Sequence, residues 1–219
     1  MLYAPSLACA NQLNLTEDIN ELAAAGFDLF HFDVMDGHYV PCLCLSLDTA
    51  RALKKQSPHI RLDVHLMVDN PEDYIEPFAA ISAERLSFHF DAALQPERLL
   101  EQIRKSGMKA GVALNPLEPA STLEPVFEQI DFVTVMSIKP GFPGRKYMEE
   151  TDGIISDLVN IRKERNLNFE IVVDGGITTT IASRLKKAGV DILVLGYLTI
   201  FNQPDGITGA WRRCLASID

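Results

Sequence analysis

The sequence has no surplus of positive charge. Its 20 Lys and Arg stand against 30 Asp and Glu, a formal net charge of −10. Nucleic acid needs a basic footprint, so a nucleic-acid partner is not expected. A small anion stays open, because a nest of backbone N–H groups binds phosphate on an acidic protein. Long apolar runs are also missing. None approaches the roughly 18–20 residues of a membrane span. Pro5 and Ser6 break the first apolar stretch, and no basic stretch precedes it, so neither a leader nor a membrane partner is expected. Cysteine is scarce, with four at positions 9, 42, 44 and 214. Cys42 and Cys44 have no second pair to complete a zinc site, and 219 residues is too long for a disulfide scaffold. Reduced thiols in a cytoplasmic protein are the expectation. No linker or low-complexity tract divides the chain, so 1–219 reads as a single domain.

What is there is ordinary globular composition, 47% hydrophobic and 23% charged, arranged as a regular alternation. Short apolar runs at 2–7, 29–33, 61–67, 85–89, 109–114, 132–136, 170–173 and 192–195 read as strands. Between them lie helical spacings. Leu15, Ile19, Leu22 and Ala23 share a face after an Asn14…Glu17 capping-box pattern and before Gly26. Further faces are Tyr74, Ile75 and Phe78; Leu99, Leu100 and Ile103; Leu123, Val126 and Phe127; Ile154, Ile155, Leu158 and Ile161; Ile181, Ala182 and Leu185; and Ile207 through Ile218. The faintest is Leu47, Ala50 and Leu53. Eight βα units predict an α/β fold, a compact (β/α)8 TIM barrel. A doubly wound open sheet is the alternative.

In such a barrel the chemistry sits where strands end. Here strand ends carry Ser6, then His31 and Asp33, then His65, His89, Met136, Asp174 and Gly196. His31 and Asp33 are two apart, so both can face the mouth. Two His with two Asp suit Zn, Fe or Mn. For any single histidine, a satisfied or merely exposed side chain is the commoner reading; for the set, the metal site and the bland reading both stay open on spacing alone. Glycines recur at 141, 144, 175, 176 and 196, where backbone can approach an anion closely.

The segments APSLA (4–8), HFDVMDGHYVP (31–41), HLMV (65–68), ALNP (113–116), PGFPG (140–144) and VDGGI (173–177) together resemble the ribulose-phosphate 3-epimerase family across almost the whole chain. GHYVPCLCLS (37–46) and GYLTIF (196–201) look closer to its allulose-6-phosphate 3-epimerase branch. The resemblance implies one divalent metal ion as cofactor, held by His31, Asp33, His65 and Asp174. Asp33 and Asp174 would also be the catalytic acid/base pair. Ser6 and His65 would touch substrate, and Met35, Met67 and Met136 would pack against the reacting carbons. Gly141, Phe142, Pro143, Gly144, Gly175, Gly176, Gly196 and Tyr197 would surround the phosphate; Arg145, which replaces the family's usual Gln, either contacts it or points to solvent. The partner implied is a small phosphorylated ketose, and the assembly a homo-oligomer.

The residue types suit that chemistry. Epimerising C3 of a 2-ketose phosphate removes the proton beside the C2 carbonyl and returns one on the other face. Two proton-transfer groups and a Lewis acid for the charge on oxygen meet that need. The related decarboxylase and hexulose-phosphate-synthase barrels carry a DxKxxD pattern, and no lysine follows Asp33 here. The other alternative is a catalytically inactive sugar-phosphate-binding barrel. The phosphate end differs from the family pattern at Lys139, Arg145, Tyr197 and Cys42.

Overall fold

The computed structural model describes residues 1–218. Nine strands form one sheet: β1 (Leu2–Pro5), β2 (Leu29–Asp36), β3 (Leu43–Cys44), β4 (Arg61–Met67), β5 (Arg85–His89), β6 (Lys109–Leu114), β7 (Phe132–Met136), β8 (Glu170–Asp174) and β9 (Ile192–Leu195). Seven helices alternate with them: α1 (Leu15–Ala24), α2 (Leu47–Gln56), α3 (Glu72–Ala79), α4 (Pro96–Lys105), α5 (Thr151–Glu164), α6 (Thr179–Ala188) and α7 (Gly206–Ile218). The strands run β1-β9-β8-β7-β6-β5-β4-β2-β3, all parallel except the β2–β3 hairpin. A parallel bridge between Ser6 and His31 joins β1 back to β2 and closes the ring. Eight parallel strands curled into a ring with helices outside make a TIM barrel, which rules out the open sheet.

Alternation along each strand divides the side chains between two cores. Phe30, Phe32 and Val34 of β2, Leu62, Val64 and Leu66 of β4, and Phe88 of β5 pack outward against the helices, in the larger core. Phe30, Phe32 and Phe88 are wholly buried, and each such burial stabilises by roughly 1.5–3 kcal/mol. The opposite parity fills the barrel. Ala4, Leu29, Phe132, Val172, Ile192 and Val194 plug its lower part. Phe132 fits there only because β6 offers no side chain at Gly111: a Cβ at that position would lie 2.3 Å from the Phe132 ring.

Local chemistry explains three helix starts. Ser46 caps α2 by accepting from the Thr49 N–H at 3.2 Å, and Thr178 caps α6 by accepting from Ile181 at 3.3 Å. Pro96 opens α4 at its first position. Three expectations need correction. The Asn14…Glu17 capping box does not form: the Asn14 side chain makes no capping bond, and the Glu17 N–H donates to the Asn14 carbonyl instead. The helix expected on Leu123, Val126 and Phe127 is a single 3-10 turn, Ala120–Leu123, followed by further turns. Its apolar residues are all buried, so tertiary packing supplies the burial without a regular helix. Finally, β2 runs three residues past Asp33 and folds back as the β3 hairpin, which periodicity did not indicate.

Candidate active site

The mouth at the C-terminal ends of the strands holds a cleft of about 410 Å3. Parallel pairing of β2 with β4 sets His31 opposite Asp63, Asp33 opposite His65 and Met35 opposite Met67. Pairing of β7 with β8 sets Met136 beside Asp174. His31 and His65 are wholly buried beneath the cleft, and Asp33 is 4% exposed.

Four groups converge there. His31 Nε2 stands 3.2 Å from Asp33 Oδ1 and 3.7 Å from Asp174 Oδ2. His65 Nδ1 stands 3.3 Å from the same Asp33 oxygen and 3.9 Å from Asp174 Oδ2. One ligand atom from each lies within 4.8 Å of all the others. His31 Nε2, Asp33 Oδ1 and His65 Nδ1 are buried and make no hydrogen bond with good geometry. Buried polar atoms are almost always satisfied. Three orphaned ligand atoms facing one point, two imidazole nitrogens and a carboxylate oxygen, are the donor set that Zn, Fe or Mn accepts.

Burial and charge drive the two carboxyls apart. Burial opposes ionisation of Asp33, yet His31 and His65 together outweigh it and hold that carboxyl well below the usual range. Burial pushes Asp174 up to about 6, with His31 working against the shift and Asp33 reinforcing it. Burial also disfavours a cation at His31, but Asp33 and Asp63 hold its imidazole well above the ordinary value. The Ser6 hydroxyl donates to Asp33 Oδ2 at 2.7 Å and fixes the carboxylate from the other side.

The walls are apolar or main chain. Met35, Met67 and Met136 line the cleft, and so do Gly141, Phe142, Pro143, Gly144, Gly175, Gly176, Gly196 and Tyr197. Close approach explains two glycines. A Cβ at Gly141 would lie 2.8 Å from Val40, and one at Gly176, whose φ is +64°, would lie 2.3 Å from the Tyr147 nitrogen. Two residues expected at the substrate do not line the cleft: His65, wholly buried beneath it, and Arg145. Arg145 is exposed, and its guanidinium lies over the Phe142 ring at 4.7 Å. Stacking on an aromatic face satisfies the cation without an anion.

Several residues here were given no site role by the sequence. Leu43, Cys44 and Leu45 of the hairpin form a side wall. The Cys42 thiol donates to the Gly141 carbonyl at 3.0 Å, tying the hairpin to the glycine loop. Asp36 Oδ1 accepts the His38 and Tyr39 N–H groups at 2.8 and 2.9 Å, and its Oδ2 accepts that of Asp69 at 2.9 Å. Despite some burial, those donors hold the carboxyl below its ordinary value, so Asp36 is a turn-builder.

The chain matches the model of the ribulose-phosphate 3 epimerase family over residues 2–201. It belongs to that family. It is 39% identical to ribulose-phosphate 3-epimerase of Treponema pallidum over 193 residues, 88% of each chain. It is 36% identical to that of Escherichia coli K12 over 204 residues, 93% of this chain and 90% of the relative. Among solved structures, 3-hexulose-6-phosphate synthase from Salmonella typhimurium superposes with a TM-score of 0.72 at 17% identity, with all of both chains covered. Phosphoribosyl anthranilate isomerase from Thermus thermophilus superposes with a TM-score of 0.70 at 16% identity, again over all of both chains. At those identities the structures share the barrel alone. An epimerase of carbohydrates is what the family membership establishes. Among the described residues, no helix is long and apolar enough to cross a membrane.

Proposed function

We propose that this epimerase inverts C3 of a small ketose phosphate, either ribulose 5-phosphate to xylulose 5-phosphate or allulose 6-phosphate to fructose 6-phosphate. It does so with one divalent ion, Zn, Fe or Mn, held by His31, Asp33, His65 and Asp174. The observation that carries this is the pair of carboxylates on β2 and β8 that share one cleft with orphaned imidazole nitrogens. A divalent ion bound there supplies a Lewis acid for the charge that develops on the substrate's carbonyl oxygen.

The chain's own residues do the rest. Asp33 and Asp174 take the C3 proton and return one to the opposite face, so the substrate passes through a flat enediolate between them. Environments that push two carboxyls apart are how one site keeps a base and an acid together. Met35, Met67 and Met136 give the flat intermediate soft, uncharged packing. Backbone N–H groups of the loops at 141–144, 175–176 and 196 hold the phosphate. Four unpaired cysteines accord with a cytoplasmic, reducing setting, and a homo-oligomer goes with the same family reading.

The test is proton exchange in D2O. Metal-loaded protein is incubated with ribulose 5-phosphate, allulose 6-phosphate and unphosphorylated ketoses, and deuterium is read at C3. Label in one phosphorylated ketose, lost on chelation, is the expected result and names the substrate. Phosphate-dependent binding with no label in any of them would favour the inactive binding barrel instead.

A further inference from the structure

The neighbour of His31 on the far side from the cleft is Asp63, wholly buried in the barrel. Its Oδ2 lies 2.9 Å from His31 Nδ1. An ionised carboxylate only accepts hydrogen bonds, so this contact places a proton on Nδ1. The other ring nitrogen, Nε2, then faces Asp33 and Asp174 at 3.2 and 3.7 Å. The register explains the arrangement. β2 carries His-x-Asp, β4 carries Asp-x-His, and the strands pair His31 with Asp63 and Asp33 with His65. Of the two carboxylates in this strand pair, Asp33 faces the mouth and Asp63 stands one layer deeper.

Asp63 is itself partnered. Its Oδ1 lies 3.2 Å from Arg85 Nε. Arg85 donates from Nη1 to Glu170 Oε2 at 2.9 Å, and its guanidinium sits 3.6 Å over the Phe132 ring. Lys109 stands 3.7 Å from the same Glu170 oxygen. A row of alternating charge therefore runs from His31 down through the barrel to the N-terminal ends of the strands. Stability alone is a poor reason for it, since buried ion pairs are often replaced by apolar residues at no loss. His65 has no such carboxylate; its Nε2 meets His89 Nε2 at 3.0 Å.

We propose that Asp63, paired with Arg85, is a positioning residue that keeps the proton of His31 on Nδ1 and so presents Nε2 to the divalent ion. This rests on the metal reading above. An imidazole ligand set in this way is a recurrent device in metal sites, and losing the partner typically weakens metal affinity by roughly 10–100-fold.

The experiment measures Zn2+ affinity of the full chain by competition with a chromophoric chelator, and denaturation of the chelated protein alongside. Three proteins are compared: wild type, Asp63→Asn, and Asp63→Asn with Arg85→Met. Asn at 63 can turn its amide N–H toward His31 and favour the wrong tautomer, so roughly 10–100-fold weaker Zn2+ binding is expected. It also leaves Arg85 short of a partner, so lower stability is expected. The double variant removes that orphaned guanidinium. It should regain stability and still bind Zn2+ weakly, a split that a merely structural role does not produce. If Asp63→Asn does not fold, the double variant decides by itself. Wild-type affinity in Asp63→Asn, or in the double variant, would overturn the inference. Failure of the wild type to take up Zn2+, Fe2+ or Mn2+ would instead overturn the metal reading on which it rests.

Discussion

Replacing Asp174 by Asn should make the metal-free chain more stable and the enzyme inactive. The magnitude follows from the environment of the carboxyl. Burial raises it from an ordinary 3.8 to about 6, helped by Asp33. A shift of that size disfavours the charged form by about 3 kcal/mol. The folded chain keeps this proton up to about pH 6, whereas the unfolded chain releases it near 3.8. Between those values the folded state binds more protons, so the contribution of Asp174 to stability falls as pH rises and is fully lost above about 6. Asn is nearly isosteric and never charges. In chelated protein, the gain of Asp174→Asn over wild type should approach about 3 kcal/mol at pH 8 and shrink toward nothing near pH 4. Urea denaturation at the two pH values measures it. The same variant should lose metal and C3 exchange, the trade of stability against activity found at strained sites. Asp174→Asn that is less stable than wild type at pH 8, or a gain equal at both pH values, would refute the reasoning.

Asp33→Asn should keep the fold and lose C3 exchange by roughly 10²–10⁴-fold, with metal content measured in parallel; turnover near wild type removes Asp33 from proton transfer. Gly176→Ala forces a left-handed residue to carry a Cβ 2.3 Å from the Tyr147 nitrogen, so it should cost more than the roughly 1–2 kcal/mol of the backbone conformation alone and raise KM for a phosphorylated ketose. Denaturation and kinetics read both effects, and an unchanged midpoint would count against the close approach. Arg145→Gln should leave kcat and KM for a phosphorylated ketose within about twofold of wild type, as for an ordinary surface substitution, because the guanidinium stacks on Phe142 outside the cleft. A raised KM with unchanged kcat would return Arg145 to phosphate binding.

Strands were the legible part of the fold. β4, β5, β6, β7 and β9 begin and end where their apolar runs do, because a strand inside a barrel is buried on both faces and its run is mostly apolar. Helical periodicity misled at Leu123, Val126 and Phe127, since the same burial is reached by turns without helical hydrogen bonds. At the site, His31, Asp33, His65 and Asp174 could be gathered from strand ends once the barrel was inferred. Asp63 could not be, although it stands two residues before His65 and so shares its face. On sequence it is one more acidic residue, and only the register with β2 shows that it backs His31. The direction of Arg145 was beyond reach for a related reason, since a loop side chain has no periodicity to fix where it points.

The bridge between Ser6 and His31 joins first strand to second, and both its residues belong to the chemistry. Ser6 holds Asp33 by its hydroxyl, while His31 faces the same centre. The ring is therefore fastened like a bracelet whose clasp is also its setting. Fastening is thinnest at this place, so fraying of the first strand would open the seam and scatter the ligands in one event. Amide hydrogens along β1 should exchange early in the chelated protein and slow markedly once the centre is filled, making the N-terminal strand a reporter of occupancy.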